Sequence, residues 1–189
     1  MSDIFVDNIK HQSSQGSGTI TLGASGEKVD LGATAGGTLT NRPAFDVTLS
    51  ANYGTAEGLT NNAYNLIPFD TETWDTDSAY NNSTYRFTCP SGKDGKYFFY
   101  LGIYADPNAD NQTRDAIAAI YKNGSLYRQQ RARPNQSAYS RYEPIYIAQP
   151  ISLSANDYVE PYFYGFDSNT GHKLIALNCF FGGYRLIGV

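Results

Sequence analysis

Three groups of residues in this chain have the types and spacing that chemistry needs. The first is acidic. Glu72, Asp75 and Asp77 fall within one short stretch, DTETWDTD at 70–77. Paired carboxylates serve glycoside hydrolysis, one as acid and one as nucleophile or base, and clustered ones hold calcium. The spacing fits no EF-hand, and the favoured reading is a solvated loop with Trp74 as a core anchor rather than a sugar platform. The second group is basic and aromatic. Arg128, Arg131, Arg133 and Arg141 are interleaved with Tyr127, Tyr139 and Tyr142. Guanidinium pairing and ring stacking on an anionic glycan would use that mixture. The competing reading is a polar hairpin edge along which arginine stems lie. The third group is Tyr158, Tyr162 and Tyr164, on one face of an alternating run. Large rigid rings make ligand surfaces, but more often subunit contacts, and a contact between copies of this chain is the favoured reading.

Other reactive side chains are few. His11 and His172 are the only histidines, and neither lies in a pattern that spells a catalytic triad. Both are read as surface residues, one in an N-terminal tail and one in a turn. Cys89 and Cys179 make neither a disulfide scaffold nor a zinc site. Two buried thiols are expected, with a single bridge as the alternative. No catalytic residue, cofactor or metal ligand is assigned, and the chain is not read as an enzyme.

Charge and hydropathy narrow the partners. The net charge is −4 and the sequence pI about 5.0, which argues against nucleic acid. No run approaches the roughly 18 apolar residues of a membrane span. MSDIFVDNIK at the N-terminus lacks the apolar core of a signal peptide, so folding in a cytoplasm is expected.

The elements that must position these groups are strands. The chain has 189 residues, enough for one all-β domain with a real core plus a short extra segment. Residues 1–41 hold seven glycines and one aromatic, Phe5. Two alternating runs there, Thr19–Leu22 and Lys28–Leu31, flank a turn. They carry too little apolar surface to fold alone, so this segment is expected to bury its face in an assembly. Ile4, Phe5, Val6 and Ile9 form an apolar plug suited to docking by strand addition. From Arg42 the composition changes. Phe45, Val47 and Leu49 alternate with polar residues. Asp70–Asn82 reads as a long acidic loop. YRFTCPSGKDGKYFFYLGIY (85–104) reads as strand, tight turn, strand, the second strand central and apolar on both faces. Asn123-Gly124 between two patterned runs is a strong hairpin signal. Further strands follow at 145–153 and 158–166, and a last one from Lys173 is broken by Gly182-Gly183. Roughly eight to ten short strands with turns between them and no convincing helix predict an all-β, jelly-roll β-sandwich.

Several motifs carry a resemblance. FTCPSGKDGKYFF (87–99) resembles the centre of the globular head of complement C1q, a jelly roll shared with the tumour necrosis factor superfamily. Pro43-Ala44-Phe45 is similar to the opening of that head. Pro68–Glu72 with Trp74-Asp75-Thr76 resembles its F-D-x-E-x-F-D-T segment, with Trp74 in place of Phe, which accounts for most of the acidic cluster. Ile120–Gly124, Leu153–Val159 and Phe180–Leu186 match later pieces in order. The resemblance spans about Pro43 to Ile187 and implies a compact homotrimer of heads on a stalk. There is no collagen repeat before Pro43. Instead VDNIK and GSGTITLGASGEKVDL resemble N-terminal segments of marine bacteriophage virion proteins, fibres especially.

Two domains are therefore expected. Residues 1–41 would be a virion-attachment or trimeric stalk segment, and 42–189 a C1q-like head. The functional expectation is a non-enzymatic fibre or spike of a bacteriophage virion, assembled in the host cytoplasm. Its N-terminus would bind other virion proteins, and its head would project and touch a host-surface glycan through Arg128, Arg131, Arg133, Tyr139 and Arg141. The alternatives are a capsid decoration (cement) trimer without receptor binding and a glycan-hydrolysing spike using Glu72 or Asp75.

Overall fold

A computed structural model describes residues 42–54, 59–107, 113–133, 143–167 and 171–186. The chain divides into two units, Met1–Thr38 and Leu39–Val189, and every described residue belongs to the second. Ile4, Phe5, Val6, Ile9 and His11 lie outside the described residues, as do Tyr139, Arg141 and Tyr142.

The strands, in chain order, are β1 (Ala44–Thr48), β2 (Tyr53–Gly54), β3 (Ala63–Leu66), β4 (Thr71–Asp75), β5 (Tyr80–Asn81), β6 (Arg86–Thr88) and β7 (Gly95–Asp106). Then come β8 (Thr113–Lys122), β9 (Ser125–Ala132), β10 (Glu143–Leu153), β11 (Tyr158–Asp167), β12 (Lys173–Leu174) and β13 (Phe180–Arg185). Among the described residues one 3-10 turn, Ala176–Asn178, interrupts them. Among the described residues two antiparallel sheets form. The first sheet runs β2-β12-β7-β13-β1-β4, with β10 on the other edge of β7. The second runs β5-β6-β11-β8-β9, with β3 beside β11. Consecutive strands repeatedly change sheet, and the result is a jelly-roll sandwich, as the strand pattern predicts.

The core lies between the sheets because apolar residues alternate. On β7, Tyr97, Phe99, Leu101 and Ile103 face inward and are buried, while Phe98, Tyr100 and Tyr104 face out and are half-buried. Phe45, Phe181, Ile147 and Ile151 join them from the first sheet, and Phe87, Ala118, Ile120 and Phe163 close the core from the second. Ring contacts such as Phe45–Phe87 at 5.0 Å and Phe87–Tyr97 at 5.4 Å knit the two layers. Those rings supply the large buried area that makes an aromatic core stable.

Four expectations are corrected. Residues 85–104 are not a hairpin. β6 pairs with β5 and β11, whereas β7 pairs with β10, β12 and β13. The Pro90–Lys93 turn, closed by Lys93 N–H donating to Pro90 O at 3.1 Å, carries the chain from one sheet to the other. The alternation reads the same either way, because Phe87 and Tyr97 meet across the core from opposite layers. The acidic stretch is not one long loop, since β4 and β5 lie within it. β4 is an edge strand on β1, exposed along nearly its whole length, so it has no apolar alternation to read. Trp74 accordingly is no core anchor. It is 43% exposed on the outside of the first sheet. Gly182-Gly183 do not break the last strand. β13 runs through them between β1 and β7, and the glycines make room for the rings of Tyr100 and Phe99.

Candidate functional site

The sandwich presents two aromatic outer faces. The outer face of the second sheet carries the tyrosines singled out in the sequence. Opposed residues on paired strands point to the same side of a sheet. Tyr162 lies opposite Ala119, Tyr164 opposite Ile117 and Tyr64, and Glu160 opposite Tyr121. Tyr162 and Tyr121 stack with ring centroids 4.1 Å apart. Tyr64 bridges the cluster, 5.8 Å from Tyr121 and 5.3 Å from Tyr164. All four are half-buried and together roof Ile117 and Ala119. Their tips are fixed by amides. The Tyr64 hydroxyl donates to Gln129 Oε1, and the Tyr164 hydroxyl to Asn62 Oδ1 at 2.6 Å. Burial pushes the Tyr64, Tyr121 and Tyr162 hydroxyls above the usual phenol range, so they remain donors at neutral pH. Tyr158 sits at the other end of this row under the Arg86 guanidinium, 4.2 Å above its ring.

The structure splits the arginine group. Arg131 lies opposite Ile117 on this outer face, and both Arg131 and Arg133 pair with Asp115, at 3.4 and 3.0 Å. Arg128 lies opposite Ile120, whose side chain faces the core. Arg128 therefore points to the other side of β9, beside Tyr146 and Gln149 of β10. Arg86 pairs with the buried Glu160 at 2.7 Å. The face is thus close to charge-balanced, which weakens the case for a strongly anionic ligand there.

The first sheet has its own aromatic face, which the sequence reading missed. Phe98 packs on Tyr184 at 5.7 Å, Tyr100 on Phe180 at 6.1 Å, and Phe180 on Tyr146 at 6.3 Å. Tyr146 is 61% exposed, and Trp74 borders the same face opposite Asp46. Tyr100 reaches across Gly182 to donate to Asp46 Oδ1 at 2.9 Å. The usable signal was the even-numbered aromatics of β7 taken together with the glycines of β13.

Asp75 and Asp77 are engaged in local hydrogen bonds. Asp75 accepts from the Tyr80 and Asp77 N–H groups, at 2.8 and 3.2 Å. Asp77 accepts from Thr76 Oγ1 at 2.7 Å and from Arg42 Nε at 3.2 Å. These carboxylates hold a turn, while Glu72 is exposed on β4. Among the described residues no group of three or more His, Cys, Asp or Glu is placed to hold a metal ion.

His172 corrects the surface expectation. It is fully buried, 3.3 Å from Asp167 Oδ2 and edge-on to Phe163. Burial lowers its pKa from the usual imidazole value, while Asp167 and Asp106 oppose that shift. The surface reading failed because Gly165 leaves a space under β11 into which the His172 ring packs. Cys89 and Cys179 are both free and buried. Cys89 lies 3.5 Å from the Tyr97 hydroxyl, and Cys179 Sγ accepts the Tyr104 N–H at 3.3 Å.

No family model matches the sequence, and no curated protein does so either. Solved structures do match. The globular domain of the zebrafish complement 1qA protein is 14% identical, over 77% of this chain and 98% of that domain, with a TM-score of 0.50. Murine APRIL, crystallised at pH 5.0, is 11% identical, over 76% of this chain and 98% of its own, with a TM-score of 0.54. At such identities the likeness is one of fold, the C1q and tumour necrosis factor type of jelly roll.

Proposed function

We propose that this chain is a non-enzymatic structural protein of a bacteriophage virion, a homotrimeric fibre or spike. Residues 1–41 attach it to other virion proteins, and the jelly-roll head projects toward the host surface. The observation that carries self-association is the outer face of the first sheet. Trp74, Phe98, Tyr100, Tyr146, Phe180 and Tyr184 share that outer face, with Tyr146 61% and Trp74 43% exposed. A monomer seldom leaves such a surface open. Rigid aromatics supply most of the energy of a protein interface. This face therefore replaces Tyr158, Tyr162 and Tyr164 as the preferred contact, because Tyr146 and Trp74 on it are more exposed than those half-buried rings. Three copies would make weak head contacts useful through multivalency.

The virion assignment rests on the phage-like N-terminal segment. The geometry of the head is compatible with it. Arg42–Ala44 and Tyr184–Leu186 share one end of the sandwich, where Arg185 N–H donates to Pro43 O at 3.0 Å. The loop at Leu49–Asn52 and the 3-10 turn at Ala176–Asn178 lie at the opposite end of the sandwich.

Light scattering on the full chain tests the self-association. A trimer is expected, and Tyr146→Ser with Phe180→Ser should reduce it to monomer while the circular dichroism of the strands persists. Trp74 is the sole tryptophan, so its emission should move to shorter wavelength as the trimer forms. A chain that stays monomeric at high micromolar concentration would refute the reading. Immunogold labelling of particles then separates fibre from the cement alternative. Label on projecting density supports a fibre, and label spread regularly over the capsid lattice supports cement.

A further inference from the structure

We infer that the outer face of the second sheet is a carbohydrate platform for a neutral oligosaccharide. The proposal deepens the host-surface reading above and rests on it for the source of the sugar.

The two outer faces of this sandwich differ in chemistry, and the difference selects the ligand. The face of the first sheet mixes Phe98 and Phe180, rings without a polar handle, with Tyr100, Tyr146, Tyr184 and Trp74. The face of the second sheet centres on four tyrosines, Tyr64, Tyr121, Tyr162 and Tyr164, beside the amides of Asn62 and Gln129, with Leu66 and the exposed Phe166 at its margins. A sugar presents two things at once: flat C–H faces that stack on rings, and a rim of hydroxyls that need donors and acceptors. Tyrosine offers both in one side chain.

The platform is preorganised. Tyr64 and Tyr164 are held at their tips by Gln129 and Asn62, and Tyr162 is stacked on Tyr121. Little side-chain freedom remains to be lost on binding. After donating, each tyrosine oxygen still accepts. Asn62 Nδ2 and Gln129 Nε2 donate no hydrogen bond among the described residues, so each amide keeps two N–H groups for a ligand. Asn62 is held at φ 62° with its backbone N–H donating to Gly165 O at 2.7 Å, which fixes its side chain beside Tyr164.

Charge pairing counts against the anionic ligand that the arginine group suggested. Arg131 and Arg133 share Asp115, and Arg86 is matched by Glu160. Three guanidinium groups against two carboxylates leave little net charge. A polyanion would gain less here than the arginine count implies. A second copy of this chain is the weaker occupant, because rings already half-buried in their own chain have less area to contribute than Tyr146 and Trp74 on the opposite face.

The test uses the full-length chain and defined probes. Maltoheptaose, chitotetraose, a mixed-linkage β-glucan and a galactomannan serve as neutral probes, and polygalacturonate as the anionic one. Binding is read by calorimetry and by retardation in polysaccharide-containing native gels. At least one neutral probe should bind. Gln129→Ala and Asn62→Gly, the latter compatible with the positive φ, should each weaken that binding by about tenfold, as the loss of one or two ligand hydrogen bonds implies. Both should remain folded, with the parent's mass and strand circular dichroism and at most a small drop in thermal midpoint from the lost tyrosine hydrogen bond. Tyr162→Phe should retain binding, since its ring remains, whereas Tyr162→Ala should lose it. The inference is overturned if no neutral probe binds, if only polygalacturonate binds, or if Gln129→Ala and Asn62→Gly bind like the parent. It is also overturned if Tyr162→Ala splits the oligomer, which would return this face to the role of subunit contact. A monomeric parent that still binds a neutral glycan would refute the trimer reading and leave the platform standing.

Discussion

The ring of Phe180 occupies the space over Gly102. A Cβ on Gly102 would stand 2.4 Å from Phe180 Cζ. The two residues lie opposite each other on β13 and β7, and the missing side chain lets Phe180 lie flat between Tyr100 and Tyr146. The aromatic face of the first sheet therefore depends on a hydrogen atom in the middle of its central strand.

Gly102→Ala should lift Phe180 off the sheet. Overpacking of this kind costs about 1–3 kcal/mol. Urea unfolding should show a lowered midpoint with an unchanged slope, and light scattering should show weakened self-association. A variant as stable and as associated as the parent would mean that the face is not packed in this way.

Stability should fall on mild acidification because of His172. Its folded pKa lies below the unfolded value of 6.5, chiefly through burial. The unfolded state then binds the proton more readily. The stabilising contribution is complete above pH 6.5 and is lost as pH falls below it. Thermal midpoints measured from pH 7.5 to 5.5 should decline for the parent. In His172→Gln the absolute midpoint drops, but its slope with pH over that range should flatten. An equal slope in both proteins would place the titrating group elsewhere.

A second titration belongs at lower pH. Asp157 ties two turns together. It accepts from Asn123 Nδ2 at 2.7 Å and from Ser154 N–H at 2.9 Å, and Lys122 Nζ lies 2.8 Å away. Lys122 first, then these hydrogen bonds, lower its pKa from 3.8 to about 2. Its contribution is present above 3.8 and is lost as pH falls toward 2. Asp157→Ala should cost about 1–2 kcal/mol at neutral pH, and the difference between parent and variant should shrink below pH 4. A constant difference down to pH 2 would contradict this.

Both thiols should be silent in the native protein. Cys179 is buried and its pKa is pushed up to about 11, mainly by burial, and burial also raises that of Cys89. The reactive thiolate is therefore scarce and hidden. A chromogenic disulfide reagent at pH 7.5 should titrate no thiol in the folded chain and two in guanidinium. Two fast-reacting thiols in buffer would show that the sandwich opens readily.

Much of the architecture is legible in the chain itself, for a definite reason. Alternation along Phe45–Leu49, Tyr97–Ile103 and Val159–Phe163 records which side of each strand is dry, and Asn123-Gly124 adopts the positive φ angles its hairpin needs. Those are local properties, so the all-β jelly roll and the β8–β9 hairpin follow from sequence. Which sheet a strand joins is not local. Phe87 and Tyr97 present the same pattern whether they sit side by side or face each other, and only the tertiary pairing separates a hairpin from a crossover. The same limit governs the functional surfaces. A row of tyrosines shows that a face is aromatic, but not whether neighbouring strands have already covered it. Burial of His172 under Gly165, exposure of Trp74 at a sheet edge, and the sharing of one Asp115 between two arginines are set by residues distant in sequence. Hydrophobic burial and charge pairing act through space, so tertiary structure alone decided how much of each aromatic face is left exposed.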